Sequence, residues 1–124
     1  MMPPAILVVD DDRLTRWSIA RQLDRAGYRV LDAASGEEAL VVFSQAAPSL
    51  VLLDLGLPGM DGFAVLAEIR KIQPGLPVLT MTTDSTNEIA RRAKSLGANA
   101  HLEKPFDVPG LTAMIGSLLG SPST

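Results

Sequence analysis

Ala5-Ile6-Leu7-Val8-Val9-Asp10-Asp11-Asp12 sets five apolar residues directly against three aspartates. The apolar run has no polar alternation. That is how a strand covered on both faces reads, as in a parallel sheet with helices on each side. Further apolar runs occupy residues 28–33 (more mixed), 50–53, 78–81 and 100–102. Amphipathic stretches separate them. Residues 13–26 carry Ile19, Leu23 and Ala26 at helical spacing, with Gly27 as a stop. Ser35 and Glu38 have capping-box spacing for a helix reaching about Ala46, with Pro48 beyond it. Residues 62–72 place Phe63, Leu66 and Ile69 on one stripe ahead of Pro74-Gly75. Ser85 and Glu88 repeat the capping spacing for a helix ending near Gly97. Asp107 caps a last helix that tolerates Pro109 in its first turn and carries the stripe Leu111, Met114, Ile115 and Leu118. Strand and helix alternating in this way predict an α/β three-layer sandwich. Trp17 is expected to pack in or against the core and receives no function. The domain is expected to span residues 1–119, with 120–124 a frayed tail or the start of a linker.

Composition narrows the function classes. A chain of 124 residues suits one domain with its own core. Its 11 basic and 14 acidic residues give a net charge of −3, with one tryptophan and one tyrosine, which argues against direct nucleic-acid binding. The absence of cysteine excludes disulfides, thiol catalysis and thiolate metal sites. Neither a secretory signal nor an apolar run near the roughly 20 residues of a membrane span occurs, so a cytoplasmic location is expected.

Right-handed crossovers bring the loops after the strands to one edge, where open sheets of this kind bind ligands. The residues reaching that edge are Asp10, Asp11 and Asp12 after the first run, Asp54 after the third, Thr82 and Thr83 after the fourth, and Lys104 after the fifth. Two ionised carboxylates about 5 Å apart repel by roughly 3 kcal/mol at an effective dielectric near 20. Such a cluster favours a divalent cation, and oxygen-only ligands with room for water suit Mg2+. Cation, ammonium and hydroxyl around a carboxylate oxygen provide what a phosphoryl group needs when it moves onto that oxygen. Aspartate is a covalent phosphoryl acceptor elsewhere. Asp12 reads as a helix cap, and Asp61 before Gly62 as a cap or turn rather than a ligand. Thr82 is favoured by register, with Thr83 its main rival and Thr80 a further alternative.

Together, V-V-D-D-D, L-L-D-L-G-L-P-G-M-D-G, the threonine after the fourth run and K-P-F-D make the chain resemble a receiver domain of two-component response regulators. The resemblance implies a five-stranded parallel sheet of order 2-1-3-4-5 with helices on both faces. It makes Asp54 the phosphoacceptor and Asp11 a direct Mg2+ ligand, with Asp10 acting through water and the Gly56 carbonyl as a further ligand. Thr82 would donate to the phosphoryl group, Lys104 would pair with one of its oxygens, and Lys104-Pro105 would be cis. The implied phosphoryl donor is a phosphohistidine on a sensor histidine kinase or a histidine phosphotransfer protein. An output domain or downstream partner, and a homodimer formed on phosphorylation along the last helix, are further implications. R-W-S-I-A-R-Q-L is reminiscent of receivers at the front of enhancer-binding transcription activators.

Certain positions depart from that pattern. His101 stands where the family usually carries the aromatic switch residue, which suggests pH sensitivity between about 5.5 and 7.5. Thr83 replaces a small residue, and Gly56 and Asp84 occupy the positions that influence phosphoryl lifetime. Such a domain catalyses only its own phosphorylation and dephosphorylation. The competing classes are a receiver-like interaction module that works without phosphorylation and an aspartate-nucleophile phosphatase of the haloacid-dehalogenase type. The phosphatase needs a second aspartate where Gly56 stands. Neither nucleotide-binding glycine motif occurs.

Overall fold

Each apolar run forms a strand and each amphipathic stretch a helix. The computed structural model describes residues 3–83 and 86–119. Asp84, Ser85 and the expected tail lie outside the described residues. In chain order the elements are β1 Ala5–Val9, α1 Arg13–Arg25, β2 Arg29–Ala33, α2 Gly36–Ala46 and β3 Leu50–Asp54. They continue with α3 Gly62–Ile72, β4 Val78–Thr82, α4 Asn87–Ser95, β5 Ala100–Glu103 and α5 Val108–Leu119.

The strands form one parallel sheet of order β2-β1-β3-β4-β5. The central strands β1, β3 and β4 are buried throughout, which explains the density of Val, Leu and Ile in β1 and β3, while β4 buries Thr80 and Thr82 among its apolar residues. The edge strands β2 and β5 are only partly buried, and their sequences are correspondingly mixed. Strand alternation divides the core into two layers. Leu7, Val9, Val51 and Leu53 pack on one face with Val65, Leu66 and Ile69 of α3. Ile6, Val8, Leu50 and Leu52 pack on the other with Ile19 and Leu23 of α1 and Leu111 and Ile115 of α5.

The helix ends follow local chemistry. Asp12 caps α1, Ser35 caps α2 and Asp61 caps α3, each accepting from backbone N–H groups of the first turn. Asp107 accepts from Gly110 N–H at 3.1 Å at the start of α5. At α4 the capping residue is Thr86, whose hydroxyl accepts from Ile89 N–H at 3.2 Å, one position beyond the expected Ser85. Gly27, with φ of 98°, turns the chain out of α1 as its position predicts.

Trp17 corrects its expectation. It is 57% exposed, because Ile19 and Leu23 define the buried stripe of α1 and Trp17 lies about 200° round the helix from Ile19. Arg21, one turn on, stacks over its ring at 5.3 Å. On α5, Leu111 and Ile115 are buried, Met114 is partly so, and Leu118 lies exposed at the margin.

Candidate functional site

The carboxyl edge of the sheet gathers the charged residues. Asp10 follows β1, Asp54 ends β3, Thr82 ends β4 and Lys104 follows β5. Carboxylate oxygens of Asp10, Asp11 and Asp54 all lie within 4.8 Å of one another. Asp10 and Asp54 are buried, whereas Asp11 is exposed. The set is oxygen-only, strongly anionic and open on one side, so its chemistry fits Mg2+, which keeps several waters.

Lys104 lies 94 positions from Asp10 and 50 from Asp54 along the chain, yet its ammonium reaches Asp10 Oδ2 at 2.6 Å and Asp54 Oδ2 at 3.1 Å. Burial alone would push this lysine's pKa down, but the hydrogen bonds and charges of the two carboxylates reverse the direction and raise it. The Lys104-Pro105 peptide is cis. Gly56 N–H donates to Asp54 Oδ1 at 2.9 Å, and Asp12 N–H donates to Asp10 Oδ1 at 2.8 Å. A Cβ on Gly56 would lie 3.5 Å from Asp54 Oδ1, so position 56 is in ordinary contact with that carboxylate.

Asp12 points elsewhere. Its carboxylate accepts from the Thr15 hydroxyl and from Thr15 N–H, and those bonds lower its pKa. Capping accounts for it. Register also separates the threonines: Thr82 is buried at the strand end, and Thr83 is exposed one residue beyond. Thr80 is fully buried behind them.

Thr80 and His101 sit opposite each other on β4 and β5, with Thr80 Oγ1 2.8 Å from His101 Nδ1. The other ring nitrogen, Nε2, is buried with no hydrogen-bond partner among the described residues. Burial pushes the His101 pKa below its ordinary value; Glu103 opposes this and Lys94 adds to it. The pH response expected from the sequence therefore shifts to the acid side of 6.5. Below that value the unfolded chain takes up a proton that the folded chain resists, so stability falls with falling pH until the folded pKa is reached. The urea midpoint of the wild type should drop from about pH 7.5 to 5.5 more steeply than that of His101→Phe. Equal slopes would show that His101 does not carry the effect.

Two contacts at this edge have no sequence signal. Gly62, at the start of α3, lies so close to the β3 end that a Cβ would sit 2.5 Å from the Asp54 carbonyl oxygen. Arg16 reaches the Asp10 carbonyl from α1 at 2.8 Å. Neither approach can be read without knowing how the helices dock on the sheet.

A sheet of this order, with acids at the switch point between β1 and β3, defines the doubly wound, flavodoxin-like class. Within it, the chain belongs to the response regulator receiver domain family, whose pattern matches residues 6–116. It is 37% identical over 108 residues to sporulation initiation phosphotransferase F of Bacillus subtilis, covering 87% of each protein. It is 38% identical over 110 residues to the DNA-binding transcriptional regulator NtrC of Salmonella typhimurium, covering 89% of this chain and 24% of that protein. The chain thus spans about a quarter of that relative's length. The receiver domain protein from Methanospirillum hungatei superposes with a TM-score of 0.91 at 30% identity, covering 98% of this chain and 97% of that one. Chemotaxis protein CheY4 of Vibrio cholerae gives 0.89 at 31% identity, covering 94% of this chain and 99% of that one. No helix among the described residues is long and apolar enough to cross a membrane.

Proposed function

We propose that the chain is a phosphorylation-activated switch that takes a phosphoryl group onto Asp54 from a phosphohistidine of a sensor kinase or phosphotransfer protein. The observation that carries this reading is the meeting of Asp10, Asp11 and Asp54 within 4.8 Å, with Lys104 bonded to Asp10 and Asp54. The Asp10, Asp11 and Asp54 carboxylates, with the Gly56 carbonyl, would hold Mg2+. When bound, the ion offsets negative charge on the transferring phosphoryl oxygens.

The chain's own groups supply the rest. Gly56 N–H holds Asp54 Oδ1 and Lys104 holds Oδ2, so the carboxylate is kept in one orientation. An Asp54 oxygen attacks phosphorus, the P–N bond to the donor imidazole breaks, and its electron pair stays on the imidazole nitrogen. Lys104 moves from its carboxylate partners to a phosphoryl oxygen, and Thr82 donates its hydroxyl to another. A groove of about 430 Å³ lined by Leu14, Thr15, Ser18, Thr83, Lys104 and Phe106 opens beside this centre and gives a donor segment room to approach. Phosphorylation then shifts a pre-existing two-state equilibrium through Thr82 and the β4–β5 edge. Such a switch acts on an output domain or partner in the cytoplasm, and the exposed margin of α5 at Leu118 suits pairing with a second copy. The likeness to NtrC supports a transcriptional output. Catalysis is confined to the chain's own phosphorylation and dephosphorylation, and Gly56 leaves the phosphatase alternative without its second aspartate.

Incubation with acetyl phosphate and Mg2+, followed by intact mass measurement, tests the assignment. The wild type should gain one phosphoryl group, while Asp54→Asn, or the wild type with the metal chelated, should gain none. An equal gain on wild type and Asp54→Asn would move the acceptor elsewhere.

A further inference from the structure

Three of the α1 arginines, Arg13, Arg21 and Arg25, are exposed, but Arg16 turns back over the sheet with 16% of its side chain exposed. Its Nη1 donates to the Asp10 carbonyl at 2.8 Å and its Nε to Asp32 Oδ2 at 3.1 Å. One guanidinium thus ties the residue that follows β1 to the carboxyl end of the neighbouring strand β2. With that bond, Asp10 is engaged at every polar atom. Its N–H donates to Ala33 O at 3.1 Å, its carbonyl accepts from Arg16, Oδ1 accepts from Asp12 N–H and Oδ2 from Lys104. Asp11 is different. It is exposed, and no side-chain hydrogen bond among the described residues restrains it. Only the backbone therefore sets where its Cα–Cβ bond points and so which positions its carboxylate can reach, and the peptide entering Asp11 is the one whose carbonyl Arg16 holds.

We infer that Arg16 is a positioning residue for the cation site: by fixing the Asp10–Asp11 peptide it keeps the Asp11 carboxylate within reach of Asp10 and Asp54. The inference rests on the Mg2+ reading above and adds a residue to it. Two effects of Arg16 on a divalent cation oppose each other. Its charge repels the ion, so removing that charge should tighten binding. Its hydrogen bond orients a ligand, so losing the bond should weaken binding, as loss of outer-shell support does at other metal sites. The fork geometry makes positioning the larger effect, because the guanidinium spans one acceptor just past β1 and another on β2 while a lysine ammonium is a single point donor.

Calorimetric titration of the full chain with MgCl2 separates these effects. Arg16→Gln removes charge and fork together, whereas Arg16→Lys keeps the charge and removes only the fork. Both should bind Mg2+ about tenfold more weakly than the wild type. In the acetyl phosphate reaction both should need correspondingly more Mg2+ for half-maximal rate, at an unchanged limiting rate. A purely structural role would lower the folded fraction without raising that half-saturating concentration. Tighter binding by Arg16→Gln, or unchanged binding by Arg16→Lys, overturns the inference while leaving the proposed function intact. A wild type that shows no Mg2+ binding overturns both.

Discussion

Replacing Gly62 with alanine should lower stability by about 3 kcal/mol, the upper end of what overpacking costs. The added Cβ would sit 2.5 Å from the Asp54 carbonyl oxygen and 2.5 Å from Leu55 Cα. Both are backbone atoms, so no side-chain rotation relieves the contact, and α3 and the end of β3 must move apart. That end of β3 carries the proposed phosphoacceptor, so phosphorylation should slow in the fraction that remains folded. The urea midpoint should fall by about 2 M. Gly75→Ala is the matched control. A Cβ there meets nothing within 4 Å, and Gly75 is not among the residues of positive φ. That substitution should be neutral or slightly stabilising through the unfolded chain. Equal midpoints for the two variants would show that the α3 approach has slack.

Gly62 also marks the limit of what the sequence makes legible. The strands β1 and β3 are evident because central strands bury both faces and so need not alternate, and β4 is evident from Val78 and Leu79 although Thr80 and Thr82 interrupt it. The caps Asp12, Ser35, Asp61 and Asp107 are evident because their bonds stay within one helical turn. The acidic centre is accessible by one further step, since crossover handedness sends the residues after each strand to one edge. Trp17 misleads for a specific reason: its hydrophobicity suggests burial, while the phase of Ile19 and Leu23 puts it on the far side of α1. The bonds from Arg16 to Asp10, from Thr80 to His101 and the approach of Gly62 to Asp54 leave no local pattern. Each depends on how far one element sits from another, a distance fixed by the packed core as a whole.

Lys104→Met should produce the other large effect, and its dependence on Mg2+ is its signature. Asp10 is fully buried and Asp54 is 5% exposed, and the lysine ammonium bonds both. Methionine keeps much of the stem's packing but leaves the carboxylates facing one another without a counter-charge. Removing one partner of a buried pair costs about 3 kcal/mol. With metal chelated, the urea midpoint of Lys104→Met should therefore fall well below that of the wild type. Because the lysine's pKa is raised in the folded chain, its contribution is fully present below the unfolded value near 10.5 and is lost as pH rises through the folded one. The gap between wild type and variant should accordingly stay flat with respect to lysine titration from neutral pH to about 9. Mg2+ should reverse the order of response. In the wild type the ammonium and the ion repel each other across the same carboxylates, whereas in the variant the ion meets no competing charge. Lys104→Met should thus bind Mg2+ more tightly and gain more stability from it, by the ratio of ligand concentration to dissociation constant. Lys104→Arg keeps a cation and should fall between the two in chelator. A variant as stable as the wild type without metal, or one whose Mg2+ response is no larger, would mean that the carboxylates at this edge do not act as one electrostatic unit.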